Sequence, residues 1–230
     1  MDLPFSRRQA LKLAGGLGVA SLTAQQAQAS PGAAPTSGVM LCRDSWGARP
    51  ARAGGRAHTI TRMTIHHSAV ALPDNRQIAA RLRQHQRYHM DDKGWVDIAY
   101  HAAVDRRGNI FALRNTAIAG DTATDYDTTG HFLVLCEGNF DEEAVTEAQL
   151  NGAALVCAWA TKQFGIGVDT LGSHREMTAA TDCPGTTLQA HVASGDLESR
   201  ISGLIGSGFQ LTPVCGQAAT TLVSAIEAGR

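Results

Sequence analysis

The residues best equipped for chemistry lie on one short stretch, Ser173-His174-Arg175-Glu176-Met177-Thr178-Ala179-Ala180-Thr181-Asp182-Cys183-Pro184-Gly185. It carries an imidazole and a thiol, and Pro-Gly sets a turn directly after the cysteine. A thiolate and an imidazole suit zinc. Two ligands do not complete a site, so a third donor must come from elsewhere. Ile65-His66-His67-Ser68, far upstream, is the candidate. Three protein ligands with an open fourth position are the catalytic form of a zinc centre, whereas structural centres close with four. Such a centre activates water near neutral pH and polarises carbonyl groups. Taken singly, each residue has a duller reading. A lone histidine is usually a core or surface residue, and a lone cysteine is usually buried and inert.

The elements that must position these groups can be read from periodicity. Residues 63–68 read as a strand. Its alternation puts Thr64, His66 and Ser68 on one face and Ile65 and His67 on the other. His66 therefore faces an open cleft, while His67 suits a core or interface position. Leu171 and Gly172 form a short strand that delivers His174. Asp74 caps a helix running to about His89, with Ile78, Leu82, His85 or Gln86, and His89 as its inward stripe. His85 and His89 also stand at a metal-ligand spacing, but read here as part of that stripe. Residues 98–104 read as a strand with Tyr100, Ala102 and Val104 on one face. A hairpin turn over 105–109 leads from it into 110–113. After a Thr/Asp-rich loop, His131 to Glu137 is a nearly continuous apolar run, typical of a central strand covered on both faces. Glu137 reads as a solvated carboxylate at its end. Thr146-Glu147-Ala148-Gln149 is a capping box opening a long helix with the stripe Leu150, Ala154, Cys157, Thr161, ended at Gly165. Residues 187–205 read as helical and are placed on the sheet's other side. Irregular alternation with one hairpin predicts a single α/β domain: a mixed central β-sheet flanked by helices on both faces.

Composition bounds the function. An apolar share of 43 % against 18 % charged residues is that of a globular protein with a real core. A formal net charge of -1 argues against nucleic acid or an anionic membrane surface as partner. No apolar run approaches the roughly 20 residues of a membrane-spanning helix. The first 29 residues read as a twin-arginine export signal: Arg7-Arg8, a weakly apolar stretch from Leu13 to Leu22, then Ala27-Gln28-Ala29 as cleavage site. A periplasmic or secreted location follows. Residues 30–41 read as a flexible linker, 42–205 as the domain and 206–230 as a C-terminal extension. Five cysteines are an odd count for an exported protein, which asks one of them for a special role. With Cys183 as a ligand, four remain. Cys42 and Cys215 flank the domain, where a disulfide would tie its ends. Cys136 and Cys157 read as small buried hydrophobes. The pairing stays open.

Several ordered blocks add to this reading. They are residues 43–49 (Arg-Asp-Ser-Trp-Gly-Ala-Arg), Ile65-His66-His67-Ser68-Ala69, His89-Met90, residues 94–101 (Gly-Trp-Val-Asp-Ile-Ala-Tyr-His), Gly138-Asn139-Phe140 and the loop from His174 to Gly185. In them the chain resembles the zinc-dependent N-acetylmuramoyl-L-alanine amidases of the peptidoglycan-recognition-protein and phage amidase-type lysozyme family. The resemblance implies that His66, His174 and Cys183 bind Zn2+. It implies that Tyr100 is the catalytic tyrosine, orienting water or donating to an oxyanion, and that Thr181 faces the tetrahedral intermediate. The implied substrate is peptidoglycan or a muropeptide, cut between N-acetylmuramic acid and L-alanine by a monomer. Trp95 and His67 are the candidate substrate contacts. Three departures stand out. His174 and Cys183 are nine positions apart, one more than is usual in the family. Ala119-Gly120-Asp121 stands where the family often has a histidine in the groove. Leu135 stands where a related branch places a catalytic glutamate. A second function stays open, a peptidoglycan-binding module without catalysis. Relatives of that kind typically lack the cysteine, and here Cys183 and Tyr100 are both present.

Overall fold

The structure is a computed structural model that describes residues 36–230. The twin-arginine segment lies outside the described residues. In chain order the elements are β1 (Ser37–Leu41), β2 (Arg62–His67), α1 (Ile78–Arg87), β3 (Ala102–Val104), β4 (Ile110–Ala112), β5 (His131–Cys136) and α2 (Glu147–Phe164). β6 (Leu171–Ser173), α3 (His174–Met177), α4 (Thr186–Ala193), α5 (Asp196–Ser207), β7 (Gln210–Val214) and α6 (Gly216–Glu227) complete the chain. The strands form one mixed sheet in the order β6-β2-β5-β3-β4-β1-β7. β5 is central and parallel to both neighbours, with His66 opposite Leu135 in the β2 register. The β3–β4 hairpin is the antiparallel pair.

Every residue of β5 is buried, as its unbroken apolar run predicts. Phe132, Val134 and Cys136 face a layer made by α2 and α5. Leu133 and Leu135 point to the opposite side, where Leu135 joins Trp46, Ile78, Leu82 and the Ala219, Val223 and Ile226 face of α6. The helices therefore cover both faces. α2 opens at Thr146, whose hydroxyl accepts the Gln149 N–H, and stops at Gly165, in the left-handed region with φ 65°. The reciprocal half of the expected capping box is absent. The Gln149 amide instead donates to the carbonyls of Val104 and Glu137, tying α2 to two strand ends. The hairpin turn depends on Gly108 (φ 82°). A Cβ there would sit 2.4 Å from the Ala148 carbonyl oxygen, so α2 packs on the turn only because it has none.

Four expectations are corrected. Ser37–Leu41 is not linker but strand β1, paired with β4 and β7, so its backbone polar groups are satisfied in the sheet. Residues 206–230 are not an appendage. β7 closes the sheet edge, α6 covers its face, and a Cys42–Cys215 disulfide joins the two ends. The stretch 187–205 breaks between α4 and α5 at Gly195 (φ 75°), and its apolar residues Leu188, Leu197 and Ile201 pack with α2 on the same side of the sheet. The strand expected over 98–104 is regular only from Ala102. Bends at Ala99 and His101 reverse the alternation. Ala102 and Val104 face the α2 layer, whereas Tyr100 packs on the α1 side.

Candidate metal centre

His66, His174 and Cys183 meet at the base of a groove of about 780 Å³ on the α1 side of the sheet. Three distant segments bring them together. The pleat of β2 aims His66 at the α1 side, as alternation predicts. β6 pairs in parallel with β2 and ends at Ser173, so His174 opens the one-turn helix α3 beside His66. The Glu176 carboxylate accepts the Ser173 N–H, 2.8 Å away, and fixes this start. The chain then loops back. The Arg175 N–H donates to the Cys183 carbonyl, 2.9 Å away, and the Thr181 hydroxyl accepts the Cys183 N–H at 3.1 Å. Gly185 (φ 84°) closes the turn. A Cβ there would lie 2.7 Å from Phe140 backbone and 2.9 Å from His67 Nδ1.

One ligand atom from each of the three residues lies within 4.8 Å of the others. The two imidazole centroids are 4.7 Å apart. The Cys183 sulfur is 3.7 Å from His66 Nδ1 and accepts the His67 backbone N–H at 3.3 Å. Burial, reinforced by the neighbouring His174, holds His66 well below its ordinary value. Burial takes His174 down to about 4. Both imidazoles are thus neutral at pH 7, with lone pairs free for a cation. Burial pushes the Cys183 thiol up to about 12, against the pull of the His67 N–H. A thiol raised that far carries its proton at neutral pH, and a bound cation would displace that proton. Two nitrogens and one sulfur are a donor set that fits zinc.

The other predicted residues surround this corner. Tyr100, Thr181, Trp95 and His67 all line the groove. The Tyr100 ring lies 5.2 Å from that of His66. Burial, with Cys183 beside it, raises the Tyr100 phenol and keeps it protonated. Trp95 packs on His89 with centroids 4.8 Å apart. His67, on the opposite pleat, stacks on Phe140 and leaves its Nδ1 buried without a partner.

Sequence reasoning missed two features, the burial of Glu137 and the reach of Thr124 and Tyr126. Glu137 is not solvated. It is fully buried, because α1 lays Arg81 and His85 over the end of β5. Its carboxylate takes Arg81 at 3.3 Å, His85 at 2.9 Å and the Ser68 hydroxyl at 2.9 Å. Asp121 lines the groove in the place of the family's histidine, and pairs with the buried Arg114 at 2.5 Å. Thr124 and Tyr126, unremarked in a loop known only by its polar composition, reach His174 and His66. Their one sequence signal is two hydroxyl side chains two residues apart.

The profile of the N-acetylmuramoyl-L-alanine amidase family matches residues 56–186, which contain all of these groups. The chain belongs to this family. Among curated relatives, peptidoglycan-recognition protein SC2 of Drosophila melanogaster is 29 % identical over 153 residues, 65 % of this chain and 82 % of that protein. The human N-acetylmuramoyl-L-alanine amidase is 32 % identical over 157 residues, 64 % of this chain but 26 % of that enzyme. Among solved structures, peptidoglycan recognition protein LE in complex with tracheal cytotoxin, a monomeric diaminopimelic acid-type peptidoglycan, superposes with a TM-score of 0.61 at 25 % identity. That match covers 67 % of this chain and 92 % of the other. The β7–α6 end of the amidase-family chain lies beyond the matched profile. No helix among the described residues is long and apolar enough to cross a membrane.

Proposed function

We propose that this protein is an exported zinc amidase that hydrolyses the amide between the lactyl group of N-acetylmuramic acid and L-alanine in peptidoglycan. One observation carries the reading: the convergence of the His66, His174 and Cys183 donor atoms within 4.8 Å on the groove floor. Zinc held there supplies Lewis-acid activation of water and of the scissile carbonyl. The chain's own groups do the rest. Tyr100, kept protonated beside His66, donates its O–H to the oxygen that gains charge. The Thr181 oxygen is engaged by the Cys183 N–H, which leaves its hydrogen for the same oxygen. Trp95 and His67 line the groove that holds glycan and stem peptide as the reacting amide is oriented. The complex of the LE relative makes a soluble muropeptide the natural first substrate beside intact sacculi.

Export is supported by Arg7-Arg8 and the Ala27-Gln28-Ala29 site. The Cys42–Cys215 disulfide also favours an oxidising compartment. Cell fractionation checks this. The catalytic test digests purified sacculi, identifies released stem peptides by mass spectrometry and measures metal on the same sample. Peptides with a free L-alanine amine and one zinc per chain are expected, and Cys183→Ala abolishes both. Release that survives Cys183→Ala overturns the zinc mechanism. Muropeptide binding with neither metal nor release selects the non-catalytic binding module, which the names of the recognition-protein relatives keep in view.

A further inference from the structure

We propose that the loop 121–128 is the outer shell of the metal centre, with Tyr126 and Thr124 as positioning residues that hold both histidines as Nε2–H tautomers. This rests on the zinc reading above and concerns how that site is held. A neutral imidazole has one N–H and one lone pair, so a metal-binding histidine works only if its proton sits on the far nitrogen. In both rings the far nitrogen meets a hydroxyl of this loop. The Tyr126 hydroxyl lies 3.2 Å from His66 Nε2. The Thr124 hydroxyl lies 2.7 Å from His174 Nε2, and Thr122 lies 2.8 Å from Thr124. His66 Nδ1, by contrast, faces the Cys183 sulfur. With each Nε2–H donating to a hydroxyl oxygen, both Nδ1 lone pairs are left for the cation. Partners of this kind orient the ring and raise its basicity.

The loop is anchored firmly enough for this task. Asp121 pairs with Arg114, a buried guanidinium that also donates to the Asp97, Ile98 and Ala119 carbonyls. The Thr128 hydroxyl donates to the Gly120 carbonyl, 2.7 Å away. The Asp125 carboxylate accepts the Thr178 hydroxyl at 2.6 Å, which ties the loop to the segment that carries His174 and Cys183. Asp121, Thr122 and Thr124 also line the groove, so one segment both orients the ligands and forms a wall beside the substrate.

The test uses the full chain and reads zinc rather than turnover. Zinc affinity is measured by competition with a chromophoric chelator. Tyr126→Phe and Thr124→Val each weaken it about 10–100-fold. Thr124→Ser, which keeps the hydroxyl, retains wild-type affinity. Long-range nitrogen NMR of the zinc-loaded wild type shows protonated Nε2 on His66 and His174. That measurement keeps the idea testable if a variant fails to fold. Unchanged affinity in both deletion variants, or metal on an Nε2, overturns the positioning role alone. A wild-type chain that binds no zinc overturns the amidase mechanism and this inference with it.

Discussion

Two histidine pairs stand near one groove and differ in what their nitrogens do. His85 and His89 sit one turn apart, with rings 6.3 Å apart, so helix spacing alone gives them the look of a metal site. Both are already engaged. His85 Nε2 lies against Glu137, and His89 Nδ1 accepts the Ala99 N–H at 3.1 Å. His66 and His174 come from segments over a hundred residues apart, yet each turns Nε2 to a loop hydroxyl, and His66 Nδ1 faces the Cys183 sulfur. The difference teaches that spacing on one helix brings rings together, whereas a ligand site needs lone pairs that nothing else has taken.

The largest contrast is in metal content. Cys183→Ala empties the His66–His174 corner, whereas His89→Gln leaves one zinc per chain. Elemental analysis reads both, and metal loss in His89→Gln refutes the distinction. Next is Glu137→Ala. It strands Arg81 and His85 beside a buried void, since Glu137 has no exposed surface. Breaking such a buried pair costs about 3 kcal/mol, to be read from urea midpoints with metal content unchanged. A further contrast is acid sensitivity. Burial lowers His89 and His101 from an ordinary value near 6.5 to about 3. Between these values the unfolded chain binds protons that the folded chain refuses. Stability is therefore intact above pH 6.5 and falls as pH drops from 6.5 towards 3. A flat urea midpoint across that window rules out buried neutral imidazoles.

Much of the molecule was legible because it is local. Alternation in β2 separated His66 from His67, an unbroken apolar run marked β5 as central, and Thr146 and Gly165 bounded α2. Composition needed no tertiary information at all. Failures came where long-range contacts override local period. Tyr100 lost its place in the alternation because the chain bends into β3 rather than extending. β1 lacked a sequence signal because its partners, β4 and β7, lie far away in sequence.

The sequence by itself determined the donor types, the strand faces and the family blocks, since these depend on side-chain chemistry and short periods. The tertiary structure alone decided three things. It buried Glu137 under α1, folded the 206–230 end into the sheet, and set Thr124 and Tyr126 against the far nitrogens of the two histidines. Each is a meeting of residues distant along the chain, and no short period records such a meeting.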